Sequence, residues 1–238
     1  MRLFIQKYKH GFLMLSYAII YILCFRYLEA RPVRVFHVVH TVFDDMIPFC
    51  EYFIIPYLLW FPYMIGAVVY FVFKNPSKKE YYQLSLNLIM GMTIFLIVSY
   101  VFPNIQHLRP TEFTHSNIFV TAVQHLYMTD TPTNILPSIH VFNSFAIHRA
   151  IHNSELFQDR PAVRYGSFTL TVLIILSTMF LKQHSVIDVC MGTTLALFGD
   201  LLFYSRRVQS TALSIYERSL SWSRRKRLPA KTVKMQNK

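Results

Sequence analysis

A proline, a hydroxyl and an imidazole open one of the apolar stretches of this chain: residues Asn134 to Phe145 read NILPSIHVFNSF. Proline suits a first helical turn, because its φ is already helical and its missing N–H has no intrahelical partner to lose. A helix starting there presents the amides of Ser138, Ile139 and His140 unpaired. With the Ser138 hydroxyl and the positive end of the helix dipole they make an anion pocket. His140 stands beside that pocket, able to carry a proton; the same residues also suit an ordinary helix start whose histidine reaches the membrane interface. A second set is KQHSVIDV, Lys182 to Val189. His184 and Asp188 are four apart, so on a helix they face each other within about 6 Å. The carboxylate then accepts from one imidazole nitrogen and leaves the other free to attack phosphorus or take a proton; a purely structural pair has the same spacing. A third set, HLRPTEF, carries Arg109, whose planar fork grips phosphate oxygens in pairs.

The elements that must position these residues are apolar helices. The chain has 238 residues, 53% of them hydrophobic, and the apolar residues come in long blocks. A window of about 19 residues, suited to some 30 Å of hydrocarbon, finds about six candidate spans. They are Phe12 to Leu28, Tyr52 to Phe73, Leu84 to Phe102, Leu136 to Ala150, Tyr165 to Leu181 and Val186 to Tyr204. The fourth is the weakest, since it contains His140, Asn143 and His148. The expected fold is therefore all-α, a polytopic membrane helical bundle formed by residues 1–205, followed by a polar, basic tail over 206–238. No cleavage signal follows the first block, which runs into Arg26, Glu29 and Arg31 and reads as an anchor.

The formal charge of +12 suggests a nucleic-acid surface until its distribution is considered. Basic residues gather in Arg2 to Lys9, Lys74 to Glu80, His148 to Arg164 and Arg224 to Arg227. Six spans put all four on one side, as the positive-inside rule requires. Both termini are then cytoplasmic, in the cell membrane, and the tail contacts anionic lipid. Asp44, Asp45, Glu51 and the loop from Pro103 to Leu136 face the other side, with Arg109, His140 and His184.

No metal or cofactor is expected. Cys24, Cys50 and Cys190 form neither a disulfide framework nor a CxxC pattern. His148 and His152 have metal-compatible spacing without a third ligand, and His37 and His40 merit no more. A transport path lined by the same polar residues is the alternative, although the charged groups cluster at one face and no inverted repeat is visible.

In order and sidedness, Arg-Pro, then Pro-Ser-x-His, then His-x-x-x-Asp resemble the type 2 phosphatidic acid phosphatase and haloperoxidase superfamily, in the branch near the inositol phosphorylceramide and sphingomyelin synthases. The resemblance runs from the third span to the sixth. It implies a lipid phosphatase or phosphotransferase acting on a lipid phosphate or pyrophosphate without a metal. By that resemblance His184 forms a phosphohistidine, Asp188 orients it, and His140 protonates the leaving oxygen. Ser138, Ile139 and Arg109 match groups that bind the phosphoryl oxygens. The chain departs from the family at Phe102, where a lysine is usual, at Ser177-Thr178, where Ser-Arg is usual, and at Ile139, where glycine is common. Lys182 is the candidate substitute cation.

Overall fold

The computed structural model describes residues 6–205, so the basic run Arg224 to Arg227 lies outside the described residues. The regular structure of the described residues is helical apart from one pair of two-residue strands. Its elements are α1 (Phe12–Ala30), β1 (His37–Val38), α2 (Val42–Met46), α3 (Ile54–Phe73), α4 (Lys78–Val101), β2 (Asn104–Ile105), α5 (Ile118–Thr129), α6 (Ile139–Asn153), α7 (Pro161–Phe180) and α8 (Val186–Tyr204).

Five described helical segments are long and apolar enough to cross a membrane: Gln6–Ala30, Glu51–Phe73, Lys78–Val101, Pro161–Phe180 and Val186–Tyr204. The sixth expected span is α6, and it differs in kind. Its 15 residues rise only about 22 Å, less than the ~30 Å of a hydrocarbon core. It sits at the centre of the bundle, packed against α3, α4, α7 and α8. His140, Val141, Phe142, Asn143, Ser144, Ala146, Ile147, Ala150 and Ile151 are all buried. This explains the polar residues that weaken its hydropathy: protein, not lipid, surrounds them. The other long helices instead show lipid-compatible faces, such as Leu15, Ile19 and Leu23 on α1.

Close approach at the centre depends on two glycines. A Cβ on Gly91 would fall 2.0 Å from the Phe142 ring, and one on Gly192 would fall 2.7 Å from the Ser138 carbonyl oxygen. Atoms do not approach that closely, so α4 and α8 reach α6 only because these positions lack a side chain.

At one end of the bundle α1, α4 and α7 finish while α3, α6 and α8 begin, and the connecting loops are laced together there. β1 pairs with β2 in parallel. Buried Asn104, in β2, accepts from the amides of Ile135 and Leu136 and donates to the Phe102 carbonyl. Gln106 donates to the Lys182 carbonyl. Ser138 N–H donates to the Asp188 carbonyl at 3.2 Å. The basic segments Lys74–Lys79 and Arg160–Arg164 lie at the opposite end, where Arg149 forms a two-pronged ion pair with Asp200 at 2.6 and 3.0 Å.

Candidate active site

The two histidine motifs, 44 residues apart in sequence, meet at the laced end. His184 Nδ1 lies 3.3 Å from Asp188 Oδ2, and His184 Nε2 lies 3.3 Å from His140 Nδ1. The three side chains form one line, and all are buried. If Nδ1–H of His184 donates to the carboxylate, its Nε2 holds a lone pair aimed at His140. His140 then donates from Nδ1 to complete the line.

Local sequence builds each end of that line. Ser185 is the N-cap of α8: its hydroxyl accepts from Ile187 N–H, and Asp188 Oδ2 accepts from Ser185 N–H at 2.9 Å. Asp188 is thus both the capping-box carboxylate of α8 and the partner of His184. The preceding turn is held by Thr178, whose carbonyl accepts from the amides of Gln183 and His184.

The start of α6 differs from expectation by two residues. Pro137 is outside the helix, and Ser138 is the N-cap, accepting from Val141 N–H through its hydroxyl. Serine satisfies first-turn amides and so takes the boundary. Ser138 is fully buried, and its own amide is used by Asp188. The donors left at this helix end are the amides of Ile139 and His140, which lack intrahelical acceptors by position.

Arg109 comes to the edge of the site. Its guanidinium lies over the Tyr127 ring, 4.6 Å from the centroid, and donates to the Tyr127 carbonyl at 3.2 Å and to Gln183 Oε1 at 2.5 Å. Burial lowers its pKa, and Asp130 opposes that shift. Lys182 does not join the histidines. Its ammonium donates to the carbonyls of Asp44 and Ile47, so it clamps the α2 loop; burial lowers its pKa and Asp44 opposes this. Phe102, at the other departure, stacks on His37.

Several site residues were not apparent from sequence. His140 packs against Trp60 and Tyr57, with ring centroids at 4.3 and 4.8 Å. The Tyr57 hydroxyl donates to Asp130 at 3.1 Å. Asp130 lines the small cavity beside the histidines with Asn134, Ile139 and Gln183. Burial raises its pKa, against the hydrogen bond from Tyr57 and the charges of His184 and Arg109. Nothing in sequence joins residues 57 and 130, which lie on different elements. Asp44 had a local sign in the spacing Thr41-x-x-Asp44, a capping pattern; its reach to α8 had none. Among the described residues no group of three or more His, Cys, Asp or Glu is arranged to hold a metal ion.

No protein-family model matches this chain, and no solved structure matches it. It is similar to an uncharacterized protein of Methanocaldococcus jannaschii, 26% identical over 154 residues, or 64% of this chain. The chain spans about 59% of that protein's length.

Proposed function

We propose that this protein is a membrane lipid phosphatase or lipid phosphotransferase, working on a lipid phosphate or pyrophosphate through a phosphohistidine. The observation that carries this reading is the line Asp188–His184–His140, with a histidine nitrogen on either side of one point. In the first step His184 Nε2 attacks phosphorus, and the N–P bond forms as the P–O bond to the lipid breaks. The leaving oxygen takes a proton from His140. In the second step His140 takes a proton from water or an alcohol, whose oxygen displaces the phosphoryl group from His184. Asp188 supports the charge that His184 carries between steps.

In the present conformation the two nitrogens satisfy each other, and the adjoining cavity of about 40 Å³ holds little more than a water. The phosphoryl group must therefore part the rings, exchanging their mutual contact for contacts to itself. The amides of Ile139 and His140 and the Arg109 fork, which would leave Gln183 to do so, are the groups suited to receive its oxygens. On this reading the histidine end faces away from the cytoplasm and the basic end faces it.

The test is release of phosphate from lipid phosphates by purified protein in the presence of a chelator, with and without ceramide, diacylglycerol or inositol as acceptor. Release without acceptor identifies a hydrolase; head-group movement to the acceptor identifies a transferase. Neither activity on any lipid phosphate would refute the proposal.

A second reading, a small membrane transporter, draws on a partly buried polar string beneath the site. His148 Nδ1 lies 3.2 Å from Ser167 Oγ, which lies 2.6 Å from the Tyr63 hydroxyl; that hydroxyl lies 3.3 Å from Thr171 Oγ1. Thr171 then donates to the Ser144 carbonyl, so the side-chain string stops at backbone before His140. Proton flux in proteoliposomes that His148→Ala abolishes would favour transport.

A further inference from the structure

An apolar cavity of about 480 Å³ opens between α1, α3 and α4, lined among others by Met14, Tyr17, Met64, Val68, Leu88 and Met92. Its volume falls in the ~300–1,000 Å³ range of ligand pockets. Its walls belong to three segments long and apolar enough to span a membrane. Hydrocarbon, not water, is then the medium at its mouth. Three methionines make the walls adaptable in shape. A helix of a second copy, about 10 Å across, would cover this slot without filling it.

The cavity is separated from the histidine site by a packed aromatic cluster whose side chains reach both pockets. Tyr17 and Met92 line it and also pack with Tyr21, Phe25, Phe95 and Ile139. Of these, Phe25, Phe95 and Ile139 line the pocket beside His140 and His184. From Phe25 to Phe12 along α1 is 13 residues, about 20 Å, or two-thirds of the ~30 Å hydrocarbon thickness. At the junction the Tyr21 hydroxyl is buried and has no hydrogen-bond partner among the described residues. Buried hydroxyls ordinarily have one.

We propose that this cavity holds the acyl chain of the lipid phosphate turned over at His184, with the Tyr21 hydroxyl donating to the ester or amide carbonyl below the head group. The proposal rests on the phosphoryl-transfer reading and narrows it. Acylated lipids carry a carbonyl at that depth, and polyprenyl phosphates carry none. Phe25 and Phe95, whose ring centroids lie 6.0 Å apart, pack between the two pockets, and the acyl chain passes where their rings part.

The test uses the full chain in nanodiscs and a phosphatidic acid bearing a diazirine near the end of one acyl chain. Photolabel should map to α1 and to the Met64–Val72 stretch, and Ala18→Trp, which fills the cavity, should remove it. The same variant should raise KM for long-chain phosphatidic acid about tenfold while sparing a short-chain, water-soluble phosphate ester. Val68→Phe is the second variant should Ala18→Trp fold poorly. Tyr21→Phe should raise KM for phosphatidic acid about threefold to tenfold, the worth of one hydrogen bond, and leave a polyprenyl phosphate unaffected. Label spread over every lipid-facing helix, or an unchanged long-chain KM in both filling variants, overturns the proposal while leaving the phosphatase reading intact. Wild-type protein that takes label in the cavity yet releases no phosphate and transfers no head group overturns that reading, and with it the assignment of the cavity to a substrate.

Discussion

Asp44 offers a sharp test of how the His184 loop is held. Its carboxylate is buried at 2% exposure and accepts three hydrogen bonds: from Ser185 Oγ at 2.6 Å, Val186 N at 2.8 Å and Thr41 N at 2.7 Å. Two of those donors are the N-cap and first residue of α8, so the short α2 segment caps the helix that carries Asp188. Removing the carboxylate in Asp44→Ala leaves three donors unpaired. Hydrogen bonds to charged groups are worth about 1.5–3 kcal/mol each and do not add fully. The expected loss is about 3–5 kcal/mol, or some 10 °C in Tm for a chain of this size. Asp44→Asn keeps the shape and one acceptor oxygen and should lose about 1–2 kcal/mol.

Burial pushes the Asp44 carboxyl upward, but the hydrogen bonds from Ser185, Val186 and Thr41 outweigh it and hold the pKa below the usual value. A lowered folded pKa contributes stability that is fully present above the ordinary carboxylate pKa of about 4. That contribution is lost as pH falls below 4 toward the folded value. The Tm gap between wild type and Asp44→Asn should therefore be constant at neutral pH and shrink on acidification. Because Ser185 and Val186 set the position of His184, a displacement near 1 Å should also lower kcat for a lipid phosphate, by up to about 100-fold. Thermal unfolding of detergent-purified protein, followed across pH, measures the first effect; steady-state kinetics measure the second. A Tm for Asp44→Ala within about a degree of wild type would refute the account of the loop.

The two site histidines should separate by substrate. On the phosphoryl-transfer reading His184→Ala removes the attacking atom and should abolish turnover on every phosphate ester, with no acid-labile phosphoprotein. His140→Ala should lose about 100-fold to 10,000-fold on a lipid alkyl phosphate but retain activity on an aryl phosphate, whose leaving group needs no proton, and should accumulate phosphohistidine. Gly192→Ala places a Cβ against the Ser138 carbonyl and should cost about 1–3 kcal/mol, seen as a lower Tm. Lys182→Met should lower Tm through loss of its bonds to Asp44 and Ile47 while changing KM for a lipid phosphate less than twofold, because its ammonium does not face the histidines.

What could be read in sequence follows the reach of local geometry. The pairing of His184 with Asp188 is local, His184 standing just before the N-cap Ser185 and Asp188 in the first turn of α8, and the long apolar blocks announce their helices by composition alone. The expected span over Leu136 to Ala150 is marked only weakly in composition, because hydropathy does not register which neighbour a residue faces. Asn143 and Ser144 point into protein on all sides, and only the packing of α3, α4, α7 and α8 around α6 reveals it. Lys182 stands two residues before His184 in sequence, which suggests a cation for phosphate. Its backbone, however, is left-handed at φ 53°, which breaks the helical relation on which spacing arguments depend, and its side chain goes to the α2 loop. Asp188 shows the limit from the other direction. Ser185-x-x-Asp188 is a capping box and His184-x-x-x-Asp188 is a base-orienting pair, and the same carboxylate oxygen serves both. Sequence cannot rank these roles, because each alone explains the residue. What favours the second role on the proposed reading is three-dimensional: His184 Nε2 lies 3.3 Å from His140 Nδ1, a contact that a cap has no use for. A structural cap requires Ser185 and Asp188 only; chemistry requires the imidazole on the far side as well.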